Sequence, residues 1–321
     1  MSVLVQANRV KAVDSTDGMI HRFLRRFEEK RPVFAREVRR SYETHPTLFA
    51  ELAGCLLPWA EIQLGSDFAD VLIEGYCEFT VDVNRSQLRY EKDGHYAHQS
   101  YKEVYETAYA SHDFMKYYHW GVYTTTFAWT HHLRIYQMYR DQFLSRIRGL
   151  AAPGRLLDLG AGSGVWHLLA SRQLPGWEMT AVDISETSVR IAREMSGKLR
   201  PGSAIHWVCG DALTHQLAEP ADAGISCFLM EHLETPSGLL ENLSRNLKPK
   251  AFAFVTLALT AAEYDHIYEF KRESEPIAMA ESAGFRVIET FSSAPDFVHA
   301  KKSYLPRSMA MLLQKRRNDI Y

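Results

Sequence analysis

Cysteine is scarce: four residues in 321, and Cys55, Cys77, Cys209 and Cys227 form neither a Cys-x-x-Cys pair nor a cysteine–histidine spacing. That scatter argues against a zinc finger or a disulfide scaffold, and the thiols are read as reduced, with no metal expected. Charge of one sign is lacking too. With 37 Lys and Arg against 39 Asp and Glu, the formal charge is −2, so no general attraction to nucleic acid or an anionic membrane exists. No run approaches the ~18 apolar residues of a membrane span. The opening MSVLVQANRVKAVDSTDG lacks the basic-then-apolar layout of a signal peptide. Internal repeats and low-complexity stretches are missing as well. These absences predict a cytoplasmic protein whose partner is a small molecule, not a nucleic acid or a membrane.

What is present is an ordinary globular composition, 46% hydrophobic and 24% charged, at a length that suits two units. Two textures divide the chain. From about Asp17 to Arg148, apolar residues recur at helical spacing, as in Ile20, Leu24, Phe27 and Leu48, Leu52, Leu56. The Pro-Gly punctuation in RGLAAPGR then marks a boundary, predicting an all-helical domain over 1–148 and a second domain over 149–321. Apolar stripes on the helical half suit either a core or a homodimer interface.

In the second half, short apolar runs (RLLDLGAG, WEMTAVDIS, AIHWVCGDA, DAGISCFLM, AFAFVTLAL) alternate with amphipathic stretches. SETSVRIAREMSGKL opens with a Ser-x-x-Ser cap-like start, and PSGLLENLSRNLK places Leu239, Leu240, Leu243 and Leu247 on one face. The alternation predicts an α/β fold with a parallel sheet covered on both sides. GFRVIETF and SMAMLLQKR read as two closing strands.

The stretch LLDLGAGSGVW, residues 156–166, drops from a strand into glycines spaced two apart. Glycines in a strand-to-helix turn admit a ligand close to the backbone. The dinucleotide fingerprint GxGxxG fails here, because Val165 stands where it wants Gly or Ala. Asp158 precedes the loop, Asp183 ends the second predicted strand, Asp211 follows the third, and Met230-Glu231-His232 follows the fourth. Strand C-termini are where open parallel sheets bind ligands. Taken singly, each aspartate also suits a helix N-cap or a turn.

This ordered set resembles the class I S-adenosylmethionine-dependent methyltransferases over roughly Arg155 to Arg316, about half the chain. The resemblance implies a seven-stranded Rossmann-like sheet with an antiparallel closing hairpin, and S-adenosylmethionine as cofactor. It also implies the site. Asp158, Gly160, Ala161, Gly162 and Gly164 would contact the methionine moiety, Asp183 with Ile184 the ribose, and Asp211 with Ala212 the adenine. Met230, Glu231 and His232 would line the path from sulfonium to acceptor.

Acceptor specificity in such a fold comes from appended segments. Residues 95–140 hold nine of the sixteen tyrosines, six of the fourteen histidines and two of the six tryptophans, a density that suggests a lid over the sulfonium. Aromatic faces attract such a cation by up to ~2 kcal/mol when water is excluded, and histidine can accept an acceptor's proton. Tyr101, Tyr105 and Tyr109, at i, i+4 and i+8, read better as a packing stripe. Tyr117, Tyr118, His119, Trp120 and Tyr123 break helical regularity before a Thr-rich turn; Tyr117, Tyr118, His119 and Tyr123, with His232, are the catalytic candidates. Adjacent on a helix, His131 and His132 should point apart and so make no metal pair. Arg134 reads as a solvated helix charge.

Three functions are compatible with these residues. The first is a methyltransferase acting on a small molecule of specialised metabolism. The second, as in azetidine-2-carboxylate synthases and nicotianamine synthases, has the aminocarboxypropyl chain react instead of the methyl; the azetidine type cyclises it, releases methylthioadenosine and needs no acceptor. The third is a non-catalytic cofactor-binding protein.

Overall fold

Ile20, Leu24 and Phe27 lie along the buried side of α1 (Thr16–Lys30) in the computed structural model of the chain. The structure describes residues 16–106, 112–150, 153–199, 205–295 and 304–317. Tyr109 and most of the segment read against a signal peptide fall outside them. Helices α2 (Pro32–Thr44), α3 (Pro46–Leu64), α4 (Phe68–Asp93), α5 (Tyr101–Val104), α6 (His112–Ala128) and α7 (Thr130–Met138) follow. A π-helical stretch, Tyr139–Leu144, leads into α8 (Ser145–Arg148), where the helical part ends. Pro32 and Pro46 stand at first-turn positions, where a missing N–H is no loss.

The Thr-rich turn expected after Tyr123 is instead the last turns of α6. Thr124 donates to the Trp120 carbonyl at 2.7 Å, and Thr125 to that of Val122 at 2.8 Å. Buried threonines thus satisfy their hydroxyls on their own helix, and propensity is overridden by packing. Gly121 makes that packing possible: a Cβ there would strike Phe79 and stand 2.7 Å from the Gly75 carbonyl, so α6 and α4 cross almost backbone to backbone.

The second half carries β1 (Arg155–Leu159), α9 (Val165–Gln173), β2 (Glu178–Asp183), α10 (Glu186–Leu199), β3 (Ile205–Cys209), β4 (Ala221–Cys227), α11 (Pro236–Arg245), β5 (Leu247–Leu259), α12 (Ser274–Ser282), β6 (Phe285–Ser293) and β7 (Arg307–Lys315). The seven strands form one sheet in the order β3-β2-β1-β4-β5-β7-β6. The first five run parallel and β7 is antiparallel to both neighbours, which is the class I methyltransferase fold with its closing hairpin. The Ser-x-x-Ser start of α10 is a real cap: Ser188 N–H donates to Ser185 Oγ at 3.2 Å. Leu247 belongs to β5, not to α11 as its spacing suggested, because β5 begins four residues before the apolar run.

One apolar cluster joins the helical part to one sheet face. Tyr139 and Phe143 stack at 5.4 Å and meet Phe254 of β5 at 5.1 and 5.9 Å. A second cluster, with Leu239, Leu240, Leu243 and Phe285, fills the other face. No helix among the described residues is long and apolar enough to cross a membrane.

Candidate active site

Strand order reverses between β1 and β4, and at such a switch point the loops leaving the strand C-termini part to form a crevice. The loop after β1 is held open by left-handed backbone. Gly160 has φ +78°, and a Cβ there would lie 2.5 Å from Leu229 Cδ2, so the residue after the strand has no room for a side chain. At Gly162 (φ +50°) nothing lies within 4 Å of the Cβ position, leaving a bare backbone facing the crevice. Its N–H donates to Asp183 Oδ2 at 2.8 Å, while Ser185 N–H reaches Asp183 Oδ1 at 2.9 Å. Each carboxylate oxygen keeps a further lone pair for a ligand. Burial pushes the Asp183 pKa up, against the pull of those two backbone donors. Asp211, exposed at the end of β3, is oriented by the Leu213 N–H at 2.8 Å.

The crevice opens into a cavity of about 1270 Å³. Gly160, Ala161, Gly162 and Asp183 with Ile184 line one end, beside Asp211 and Ala212. Glu231 and His232 line it as well, and Tyr118 and His119 of α6, Trp129, and His131 and His132 of α7 form one wall. Rings pack in a chain along this wall: Trp129 stacks on His131 at 5.3 Å, His131 meets His132 edge-on at 4.5 Å, and His132 is tilted against Phe228 at 4.9 Å. Burial lowers the pKa of His119 to about 4 and of His132 to about 3, and that of His131 well below its ordinary value. The wall is therefore neutral at pH 7.

Five sequence-predicted residues do not line this space. Asp158 is 3% exposed beneath the loop, where its Oδ2 lies 3.6 Å from His167 Nδ1. Gly164 packs against the Trp207 ring, and Met230 is core. Tyr117 donates to Asp82 Oδ2 at 2.9 Å, and Tyr123, fully buried, to the Leu56 carbonyl at 2.7 Å. Both tyrosines hold helices together: α6 turns only one side to the cavity, the side of Tyr118, His119 and Val122.

Other residues arrive unannounced. Tyr101 and Tyr105, read as a packing stripe, line the cavity, and the Tyr101 N–H donates to Glu234 Oε1 at 2.9 Å. His131 and His132 do not point apart: both are on α7, and their rings lie 4.5 Å from each other. Arg134 is an exposed helix charge outside the cavity lining, with its guanidinium over the Phe291 ring at 4.6 Å. Glu263 and His266, in the loop after β5, were missed altogether. The rule that ligands gather at strand C-termini, applied to the fifth strand as to the first four, would have found them.

A family model described as "Methyltransferase domain" matches residues 156–250. The ubiquinone biosynthesis O-methyltransferase of Chromobacterium violaceum is 28% identical over 166 residues, 45% of this chain and 69% of that protein. Its counterpart in Pseudomonas putida strain GB-1 is 26% identical over 161 residues, 44% of this chain and 68% of that one. Among solved structures, phosphoethanolamine N-methyltransferase 2 of Haemonchus contortus in complex with S-adenosyl-L-methionine shares the fold at TM-score 0.52 and 16% identity, covering 69% of this chain and 61% of that one. With the glycine loop, the acids at the strand ends and the sheet order, these matches make the C-terminal part of the chain a class I S-adenosylmethionine-dependent methyltransferase domain, preceded by a helical N-terminal region.

Proposed function

We propose that the protein transfers a methyl group from S-adenosylmethionine to a hydroxyl oxygen of a small molecule seated between the glycine loop and the histidine wall. The observation that carries this reading is the size and lining of one continuous cavity, about 1270 Å³. A drug-sized ligand fills roughly 300–1,000 Å³, so cofactor and acceptor fit together. The distant relatives named as O-methyltransferases favour oxygen.

The residues present suit the cofactor. The bare Gly162 backbone and the remaining lone pairs of Asp183 would hold the amino-acid and ribose ends, and Ile184, 52% exposed beside Asp183, offers an apolar face to the base. Bound there, S-adenosylmethionine supplies a methyl group on a positively charged sulfur. The chain's own task is alignment and exclusion of water. Helices α4, α6 and α7 roof the cavity, and the rings from Trp129 to Phe228 would offer aromatic surface to a sulfonium cation. His119 Nε2 and His131 Nδ1 are buried without partners, and one of them takes the hydroxyl proton. A weak base suffices, because an oxygen gaining a methyl becomes strongly acidic.

The same neutral imidazoles favour a second reading, in which S-adenosylmethionine is itself the substrate. The amine nitrogen bonds to its own γ-carbon as the carbon–sulfur bond breaks, methylthioadenosine leaves, and the amine proton passes to the base. His131 Nδ1, buried and unpartnered, supports it.

One experiment separates the two. Purified protein is incubated with S-adenosylmethionine alone, then with pools of small phenols and alcohols, and products are identified by mass spectrometry. Intact S-adenosylmethionine in the first incubation and S-adenosylhomocysteine with a methyl ether in the second are expected. Methylthioadenosine with azetidine-2-carboxylate in the first would overturn the methyl-transfer reading.

A further inference from the structure

The turn after β4 and the loop after β5 bring together a group of side chains that methyl transfer does not require. Glu231, His232 and His266 each present a ligand atom, all within 4.8 Å of one another, and Glu263, Asp265 and His266 do the same. Hydrogen bonds lock the loop in place. Ile267 and Tyr268 N–H donate to the Glu231 carbonyl at 2.8 and 2.9 Å, Tyr96 donates to the Ala261 carbonyl at 2.9 Å, and Gln87 Oε1 accepts from Ala262 N–H at 2.9 Å.

The proton positions inside the group follow from the backbone. A carbonyl can only accept, so His266 Nδ1 donates to Ala261 O at 2.7 Å, and the lone pair resides on Nε2. That nitrogen stands 3.7 Å from Glu263 Oε2, two acceptors facing each other. His232 Nδ1 likewise donates to the Asp265 carbonyl at 3.1 Å. Glu231 is 1% exposed and its Oε2 has no hydrogen-bond partner. Leaving a carboxylate oxygen so placed is costly unless it is protonated or meets a cation.

We propose that Glu231, His232 and His266, backed by Glu263 and Asp265, bind one divalent first-row transition-metal cation at the cavity, which Glu231, His232, Glu263 and His266 line. Two imidazoles with carboxylate oxygens select Mn²⁺, Fe²⁺ or Zn²⁺ over Mg²⁺ and Ca²⁺. Imidazoles tethered through Nδ1 to backbone carbonyls are oriented as metal-ligating histidines are. Bound ligand atoms lie about 2.0–2.2 Å from such an ion, so the side chains would have to draw in around it from their present spacing of up to 4.8 Å. The sequence expectation of no metal rested on the cysteines and on the His131–His132 pair, neither of which belongs to this group. The inference stands apart from the choice of acceptor or reaction.

The test is binding, without turnover. The full chain is stripped with chelator, and metal content is measured by mass spectrometry after equilibration with Mn²⁺, Fe²⁺, Zn²⁺ or Mg²⁺; the affinity for Mn²⁺ and Zn²⁺ follows from calorimetry. About one transition-metal ion per chain is expected, with Mg²⁺ far weaker, and His266→Ala should lose the ion at least tenfold in affinity. Glu231→Gln, which keeps the shape, should lose it too, and retained far-ultraviolet circular dichroism checks that each variant folds. A wild-type chain that takes up no ion would show that the carboxylates are simply protonated, and the proposal would fail. Equal uptake by wild type and both variants would place the ion elsewhere and overturn it as well.

Discussion

The Gly162 amide donates to Asp183 Oδ2 at 2.8 Å, so the glycine loop after β1 and the acid ending β2 are one mechanical unit. A ligand gripping the carboxylate therefore also feels the loop's backbone. Asp183→Ala should lower the affinity for S-adenosylmethionine at least 100-fold, about 3 kcal/mol, since a hydrogen bond to a charged group contributes about 1.5–3 kcal/mol. Asp183→Asn should fall between the two, because its amide meets one of the N–H donors with a second donor. Calorimetric titration decides it; an unchanged Kd in the alanine variant would remove Asp183 from the site.

The two loop glycines should separate stability from binding. An alanine at either φ-positive position costs about 1–2 kcal/mol of backbone strain, but only Gly160 also drives a Cβ into Leu229. Gly160→Ala should therefore melt at a clearly lower temperature than Gly162→Ala. The Gly162→Ala methyl meets nothing within 4 Å on a residue that lines the cavity, so its main loss should be in cofactor affinity. Melting curves with and without S-adenosylmethionine read both effects, and the opposite order of melting temperatures would contradict this account.

Legibility in the sequence followed the locality of the signal. Gly160, Gly162, Asp183 and Asp211 were readable because each follows a short apolar strand within a few residues, and the backbone alone carries them to the crevice. His266 was not, since its neighbour His232 lies at a ring distance of 4.9 Å across a gap of 33 intervening positions, and AEYDHIYEF carries no glycine to mark it. Helix α6 was misread for another reason. Its threonines and aromatics have modest helix propensity, and only burial against α4 through Gly121 makes the helix continuous. The fate of each tyrosine then depended on which side of α6 it occupies, a tertiary fact.

Tyr118 and Tyr123 make that distinction testable. Tyr118 lines the cavity, whereas the Tyr123 hydroxyl donates to the Leu56 carbonyl inside the helical part. Tyr118→Phe should leave the affinity for S-adenosylmethionine within about twofold and lower kcat. Tyr123→Phe should leave kcat alone and reduce stability by about 1 kcal/mol, the usual net contribution of a neutral hydrogen bond plus the burden of an unsatisfied carbonyl. Steady-state kinetics and urea unfolding on both variants provide the cross-comparison; a kcat loss only in Tyr123→Phe would reverse the assignment.

The neutral histidine wall predicts how stability responds to acid. His119 is 5% exposed, and burial alone pushes its pKa down to about 4, against an ordinary value near 6.5. Between those values the unfolded chain binds a proton that the folded chain refuses. Stability is therefore fully present above about pH 6.5 and is lost as pH falls toward 4, by about 3 kcal/mol for this group. His132, pushed down to about 3, adds to the same slope over a wider window. Urea unfolding at pH 7, 6, 5 and 4.5 should show the midpoint falling throughout. Buried carboxylates respond to acid as well, so the diagnostic is the variant: His119→Gln should flatten the curve between pH 6.5 and 4, whatever it does to stability at pH 7. A variant curve parallel to wild type would mean that His119 takes up its proton equally in the folded and unfolded chain, and that burial does not lower its pKa.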